Sequence, residues 1–456
     1  MFDSLLVANR GEIAGRVFRT AREMGIRTIA VYSEADAGLP FVAAADEAVL
    51  IGPANPAQSY RNGPAVIQAA LATGAQAVHP GYGFLSEDPA FARQVVDAGL
   101  IWVGPSPEAI TAMADKVAAR NLVAGVGVPV APGTEEPVRT PEDASLAAKE
   151  IGYPVMIKAA AGGGGMGMAV VTSPEALTAE YEKVTAFAGR LFGDSSVFIE
   201  RFFPRVRHVE VQILGLPDGT VMAVDERECS VQRRHQKVAE ETPSPGVDEA
   251  LLARMLAAAR KAGEVVHYQG AGTVEFLVSP AARDADGRRL APAEFFFLEM
   301  NTRLQVEHPI TEAVLGIDLV RAQLMIAAGE HPGFDEDSLT HTGHAIELRI
   351  NAEDSKRFLP GPGAITQWQQ PTGEGIRVDA GYAAGTTVTP SYDSLMAKLI
   401  VHGADRAQAL ARAAQAVADF TIVGPKSNLA FHAELLANAE FRSGDYDTGI
   451  VGRMRT

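Results

Sequence analysis

An apolar run at residues 5–8 gives way to helical spacing over 12–24 and then to a second β-rich run at 28–32. Two short strands joined by a helix lie side by side in parallel, and parallel strands need cover on both faces. The alternation continues through residues 77–78, the glycine-rich turn H-P-G-Y-G-F at 79–84 and the run at 101–105. The N-terminal part is therefore expected to be a parallel α/β sheet wrapped by helices. One helical segment is expected over about 107–126, and the proline-rich stretch 128–141 marks a boundary. The spacing then predicts a smaller unit at 132–203, with a helix near 141–151, strands at 154–158, 168–172 and 197–200, and a second helix between the last two strands. Further β-rich segments fall at 209–214, 221–224, 272–279 and 294–301, with the charged connection at 281–292 read as a solvated loop. The last hundred residues mix strands with a helix near 406–417, so the class is α/β passing into α+β.

The tract E-M-N-T-R-L-Q-V-E at 299–307 carries the strongest chemical signal. On extended backbone Glu299, Asn301, Arg303, Gln305 and Glu307 would share one face, and Met300, Thr302, Leu304 and Val306 the other. A wetted edge strand is the plain reading of such alternation. Two carboxylates, two amides and a guanidinium with no Lys, Ser or Thr among them point instead to a reaction surface. In G-T-V-E-F-L-V at 272–278, Val274, Phe276 and Val278 form an apolar face opposite Glu275. If this strand pairs with 294–301, Glu275 and Glu299 converge, and paired carboxylates beside phosphate oxygens suit Mg²⁺. An ion pair with Arg303 is the plainer alternative.

The string K-A-A-A-G-G-G-G-M-G-M at 158–168 contains a G-x-G-x-x-G match, yet a strand follows it instead of a helix. Neither Lys-Ser nor Lys-Thr follows, so it is not a P-loop. A glycine hairpin whose bare N–H groups close over phosphates fits better, with Lys158 supplying charge; a flexible surface turn is the alternative. No H-R-D or D-F-G tripeptide accompanies it, which excludes a protein kinase. The run Q-R-R-H-Q-K at 232–237 with His208 reads either as an anion site or as a solvated basic loop.

With 40 Lys and Arg against 56 Asp and Glu, the net charge of −16 excludes a general binder of nucleic acid or anionic membrane. Cys229 is the only cysteine, so an intrachain disulfide or cysteine metal cage is impossible and a reducing compartment fits. No basic-led signal segment and no run approaching ~18 apolar residues is present, so a cytoplasmic location is expected.

Taken together, the strings V-A-N-R-G-E-I-A at 7–14, H-P-G-Y-G-F-L-S-E at 79–87, R-H-V-E-V-Q at 207–212, C-S-V-Q-R-R-H-Q-K at 229–237, E-M-N-T-R-L-Q-V-E-H-P at 299–309 and R-I-N-A-E-D at 349–354 resemble the biotin carboxylase family of the ATP-grasp superfamily. The resemblance runs over nearly the whole chain. It implies an N-terminal domain at 1–113, a helical linker at 114–131, an ATP-grasp lid at 132–203, a catalytic subdomain at 204–330 and a C-terminal domain at 331–456. It implies that Lys116, Lys158, Gly162, Gly163, Gly164, Gly165, Gly167, Glu200, His208, Gln232 and His235 contact ATP, with main chain near Phe203 at adenine. Two Mg²⁺ or Mn²⁺ ions would sit on Glu275, Glu299 and Asn301, and bicarbonate against Lys237, Arg303, Gln305 and Val306 with Glu307 as base. Arg349, with Arg303, would meet biotin.

The implied activity is that of a C–N-forming ligase that carboxylates biotin through carboxyphosphate, the first half-reaction of an acyl-CoA carboxylase, as in fatty acid biosynthesis. Another ATP-grasp ligase, or a catalytically impaired ATP-binding subunit, is the alternative. Met166 stands where the family's flap usually has Arg or Lys, which favours the latter. No Met-Lys dipeptide, the family's biotinylation motif, occurs in the sequence. Biotin is therefore expected on a separate carboxyl carrier protein, alongside carboxyltransferase subunits. Arg19, Glu23 and Arg377 match an interface of homodimeric members, with Glu374 at the position of an aromatic residue; an i,i+4 helix pair is the plainer role for Arg19 and Glu23.

Overall fold

The computed structural model describes residues 1–160, 167–280, 282–283 and 289–455. Its first unit is the expected parallel sheet, in the order Glu47–Gly52, Arg27–Ser33, Ser4–Val7, Ala77–His79, Ile101–Trp102. Ser4–Val7 lies in the middle and is buried throughout, which is why it reads as an uninterrupted apolar run. The helix expected over 107–126 is two helices, Pro107–Ala114 and Lys116–Gly125. Asp115 breaks it: it has extended backbone, and its carboxylate accepts from the N–H groups of Val117 and Ala118.

A smaller unit follows, with antiparallel strands ordered Met168–Val171, Val155–Ala159, Val197–Arg201 and packed against helices Pro141–Ile151 and Pro174–Phe192. It has its own apolar core, including Val155, Ile157, Leu177, Tyr181 and Ile199. The glycines at 162–165 and Met166 lie outside the described residues.

The largest element is an eight-stranded antiparallel sheet, ordered Glu294–Asn301, Gly270–Ser279, Arg207–Gly215, Val221–Arg233, Gln236–Thr242, His344–Asn351, Leu395–Gly403, Ile376–Ala380. Helix Glu249–Glu264 packs on one side of the sheet through Leu251, Met255 and Ala259, which join Val211, Ile213 and Val274 in a shared core. Helix His308–Leu315 packs on the sheet where Gln236–Thr242, His344–Asn351 and Leu395–Gly403 run side by side. The expected loop at 281–292 falls largely outside the described residues, although Ala282–Arg283 and Arg289–Ala291 pair as short strands within it.

Two expectations change here. The segment read as ending at 224 runs on to Arg233, turns through Arg234 and His235 with φ of 51° and 67°, and returns as Gln236–Thr242. Two successive left-handed residues make the tight hairpin whose twist matches the sheet, so the basic run is not a loose loop. The tract at 299–307 is extended only as far as Asn301. Beyond it the chain bends away, and Glu307 becomes the N-cap of His308–Leu315 with φ −81° and ψ 8°. Both parities are buried as a result: Thr302 and Leu304, but also Gln305 and Glu307.

The C-terminal end is tied to this sheet at Glu241, whose carboxylate meets His344 Nε2 at 2.6 Å, Arg406 at 2.7 and 2.9 Å, and the Tyr446 hydroxyl. Burial pushes the Glu241 carboxyl up, and the hydrogen bonds from His344 and Arg406 more than reverse this, down to about 2 from the usual 4.5. A carboxyl depressed in the folded state stabilises above its unfolded pKa and loses that contribution as pH falls. Glu241→Gln is therefore expected to cost about 3 kcal/mol at neutral pH. Thermal unfolding followed against pH should show the gap to wild type narrowing below the usual carboxylate pKa of 4.5.

Candidate active site

Cross-strand register assembles one charged row on the sheet. Glu299 lies opposite Glu275, Glu275 opposite Glu210, and Glu210 opposite Arg227. Directly opposed residues share a face, so pairing of the strands at 270–279 and 294–301 brings the two predicted metal-binding carboxylates together. Arg227, wholly buried, donates to Glu210 at 2.6 Å and to Gln212, Thr311 and Thr273 at 2.8–3.1 Å. Arg227 and Glu210 are absent from the residues singled out by sequence. Alternation within R-H-V-E-V-Q, which places His208, Glu210 and Gln212 on one face, was the signal for Glu210.

The hairpin sets Lys237 opposite Gln232. From there its ammonium donates to Glu210 at 2.5 Å, Glu275 at 2.9 Å and Glu307 at 2.6 Å. Arg349 bridges on the other side, donating to Glu307 at 2.9 Å and through Nε to Glu240 at 2.7 Å. Burial pushes the Glu307 carboxyl up, but Lys237, Arg349 and Arg227 together hold it well below the usual range, so it is ionised at neutral pH. Glu275 follows the same logic: Lys237 and His208, whose Nε2 lies 3.0 Å away, outweigh burial and lower it. The Cys229 thiol, 3.8 Å from Glu307, is pushed well up by burial and by Glu210, and stays neutral.

The end of the tract closes the site. Arg303 donates to Glu87 of the N-terminal unit at 2.9 Å, to Gln305 at 2.8 Å and to Asn301 at 3.2 Å. Arg303 is thus paired with Glu87 instead of Glu275. Gln305 in turn donates to Glu275 at 3.2 Å and to Asn301. Lys116 stands 2.7 Å from Glu299, and Lys158 is paired with Glu200. His208 Nδ1 lies 2.6 Å from the Gln232 amide. Phe203 stacks on Phe296 with ring centroids 4.8 Å apart. His235 occupies the exposed hairpin turn, apart from the buried cluster. Gly167, the one described glycine of the flap, has φ +70°.

Glu275 and Glu299 stand in register and Asn301, two residues on, donates its amide N–H to Glu299 at 3.4 Å; two carboxylates and an amide are oxygen-bearing groups of the kind Mg²⁺ or Mn²⁺ accepts. His208, Glu210 and Glu275 also converge closely enough to share an ion. The arrangement holds an ionised Glu307 carboxylate beside three cations, Lys237, Arg349 and Arg227.

Comparison with known proteins matches residues 1–110 to the biotin carboxylase N-terminal domain, 115–332 to the ATP-binding domain of the carbamoyl-phosphate synthase L chain, and 347–453 to the biotin carboxylase C-terminal domain. The chain is 46% identical over 445 residues to the biotin carboxylase of Pseudomonas aeruginosa, covering 97% of this chain and 96% of that protein. The Campylobacter jejuni biotin carboxylase complex with βγ-ATP superposes with a TM-score of 0.92 at 42% identity, covering 99% of each chain. A biotin carboxylase domain dimer of Hydrogenobacter thermophilus 2-oxoglutarate carboxylase, described with MgADP, ADP and bicarbonate, gives 0.91 at 39% identity over 99% and 98%.

Removing one partner from a buried ion cluster leaves the others uncompensated, a loss of about 3–5 kcal/mol. Lys237→Met is therefore expected to lower the thermal midpoint markedly at neutral pH. The exposed deficit is carboxylate charge, whose protonation relieves it, so the gap to wild type should shrink in mildly acidic buffer; a pH-independent gap would contradict the charge-balance reading.

Proposed function

This chain belongs to the biotin carboxylase family, an ATP-grasp ligase that carboxylates biotin with bicarbonate and ATP, and from that premise we propose how its residues divide the reaction. Bicarbonate lies against Lys237, Arg303, Gln305 and the main chain of Val306. Its negative charge draws Lys237 and Arg349 partly away from Glu307, and the carboxylate so released becomes basic enough to take the bicarbonate proton. The observation that carries this reading is Glu307 itself: fully buried, ionised, and held by two cations, Lys237 and Arg349, that an anion would attract.

The bicarbonate oxygen attacks the γ-phosphorus of ATP, ADP leaves, and carboxyphosphate forms. Lys116, Lys158, Glu200, His208, Gln232 and His235, with the glycine flap and main chain near Phe203, hold the nucleotide. Glu275, Glu299 and Asn301 are the residues that would hold Mg²⁺ or Mn²⁺, which when bound screens the phosphate charge. Carboxyphosphate divides into CO2 and phosphate, the phosphate removes the biotin N1′ proton, and Arg349, with Arg303, stabilises the ureido oxyanion that captures CO2. The biotin arrives on a separate carrier protein, and carboxyltransferase subunits take the carboxyl group onward.

A homodimer is proposed through the surface at Arg19, Glu23 and Arg377. Arg19 does not pair with Glu23 four residues on; it reaches Asp379 at 3.2 Å, which Arg377 also holds at 2.6 Å. No helix among the described residues is long and apolar enough to cross a membrane.

Glu307→Gln keeps the shape and removes the base. Biotin-dependent ATP hydrolysis is expected to fall about 10²- to 10⁴-fold while MgATP binding and the circular dichroism spectrum persist. Arg349→Ala should fall by about 10²- to 10³-fold, with CO2 capture lost. Normal turnover in either variant would overturn its assignment.

A further inference from the structure

Two of the strings singled out in the sequence, V-A-N-R-G-E-I-A and H-P-G-Y-G-F-L-S-E, contribute Glu12 and Tyr82, which the reaction scheme leaves unused. In the fold they converge on one buried cation. Lys398, in strand Leu395–Gly403, is wholly buried. Its Nζ lies 3.2 Å from Glu12 Oε2 and donates to the Val306 carbonyl at 2.8 Å. Glu12 is itself buried, and its other oxygen accepts from the Tyr82 hydroxyl. Asn9 fixes that tyrosine's turn, its amide donating to the carbonyls of Pro80 at 2.8 Å and Tyr82 at 2.7 Å. On the sheet Lys398 stands opposite both Arg349 and Asp379.

We propose that Lys398 is a positioning residue for bicarbonate: oriented by Glu12, its ammonium holds the Val306 carbonyl and thereby sets where Val306 and Glu307 stand. The role rests on the bicarbonate reading given above. Residues 302–307 have left the strand and have no ladder bonds to hold them, so a charged hydrogen bond from the rigid sheet is an effective anchor. A buried ammonium is costly to maintain, and a purely structural position accepts an apolar residue of similar volume with little loss. Near-attack geometry, in contrast, is sensitive to displacements of about 1 Å.

Lys398→Met alone leaves the buried Glu12 carboxylate without its cation, so the double variant Glu12→Gln/Lys398→Met is made beside it, together with Lys398→Arg. Wild type and variants are assayed for biotin-dependent ATP hydrolysis across bicarbonate concentrations, and for MgATP affinity by direct titration. The double variant is expected to lose about 10- to 100-fold in kcat/KM for bicarbonate, with MgATP affinity within about twofold of wild type and Lys398→Arg recovering most of the loss. An unchanged kcat/KM for bicarbonate in the double variant overturns the role of Lys398, as does a parallel loss of MgATP affinity. A wild-type enzyme whose ATP hydrolysis ignores bicarbonate overturns the parent reading instead.

Discussion

The ammonium of Lys237 among the carboxylates of Glu210, Glu275 and Glu307 is the contact on which the rest of the site depends. Each buried ion carries a desolvation penalty of several kcal/mol, so three carboxylates share one small volume only if cations are built in with them. Arg227 and Arg349 complete that balance from strands on either side. The antiparallel sheet makes the arrangement rigid, because each of these side chains except Glu307, which caps the helix packed on the sheet, is set by register on a neighbouring strand.

The proposed division of roles draws on the same balance. A carboxylate pulled far below its usual range is a poor base while its cations stay in place, and a better one once a substrate anion takes them. On the proposed reading, substrate binding thereby switches on the base that deprotonates the substrate. Every unit of the fold contributes: Glu87 from a turn of the N-terminal unit, Lys158 and Glu200 from the smaller unit, Lys237 and Glu307 from the large sheet and its helix, and Arg349 and Lys398 from its C-terminal strands. Preorganised charge of this kind reduces the reorganisation needed in the transition state.

Apolar patterning made much of this legible. The run at 5–8 and the alternation at 272–279 led to the parallel sheet and to the facing of Glu275 and Glu299, because apolar faces declare which way a strand lies. Burial of charge hid the rest. Asp225, Glu226, Arg227 and Glu228 continue the strand beyond the expected 221–224 and are all buried, and Asp225, Arg227 and Glu228 meet His341, Glu210 and Arg207 across the fold. Arg227 and Lys398 were invisible for the same reason. Asp115 looked like one more polar residue in a helical run, and only its capping bonds reveal the break. The residues of the tract at 299–307 do come together, but by leaving the strand after Asn301, not by continuing it.

Turnover with heavy-oxygen-labelled bicarbonate, with the fate of the label followed by mass spectrometry of the released phosphate, tests the account most directly. If this site joins bicarbonate to the γ-phosphoryl group, one labelled oxygen passes into the phosphate in each biotin-dependent turnover. Phosphate that carries oxygen from water alone would contradict it.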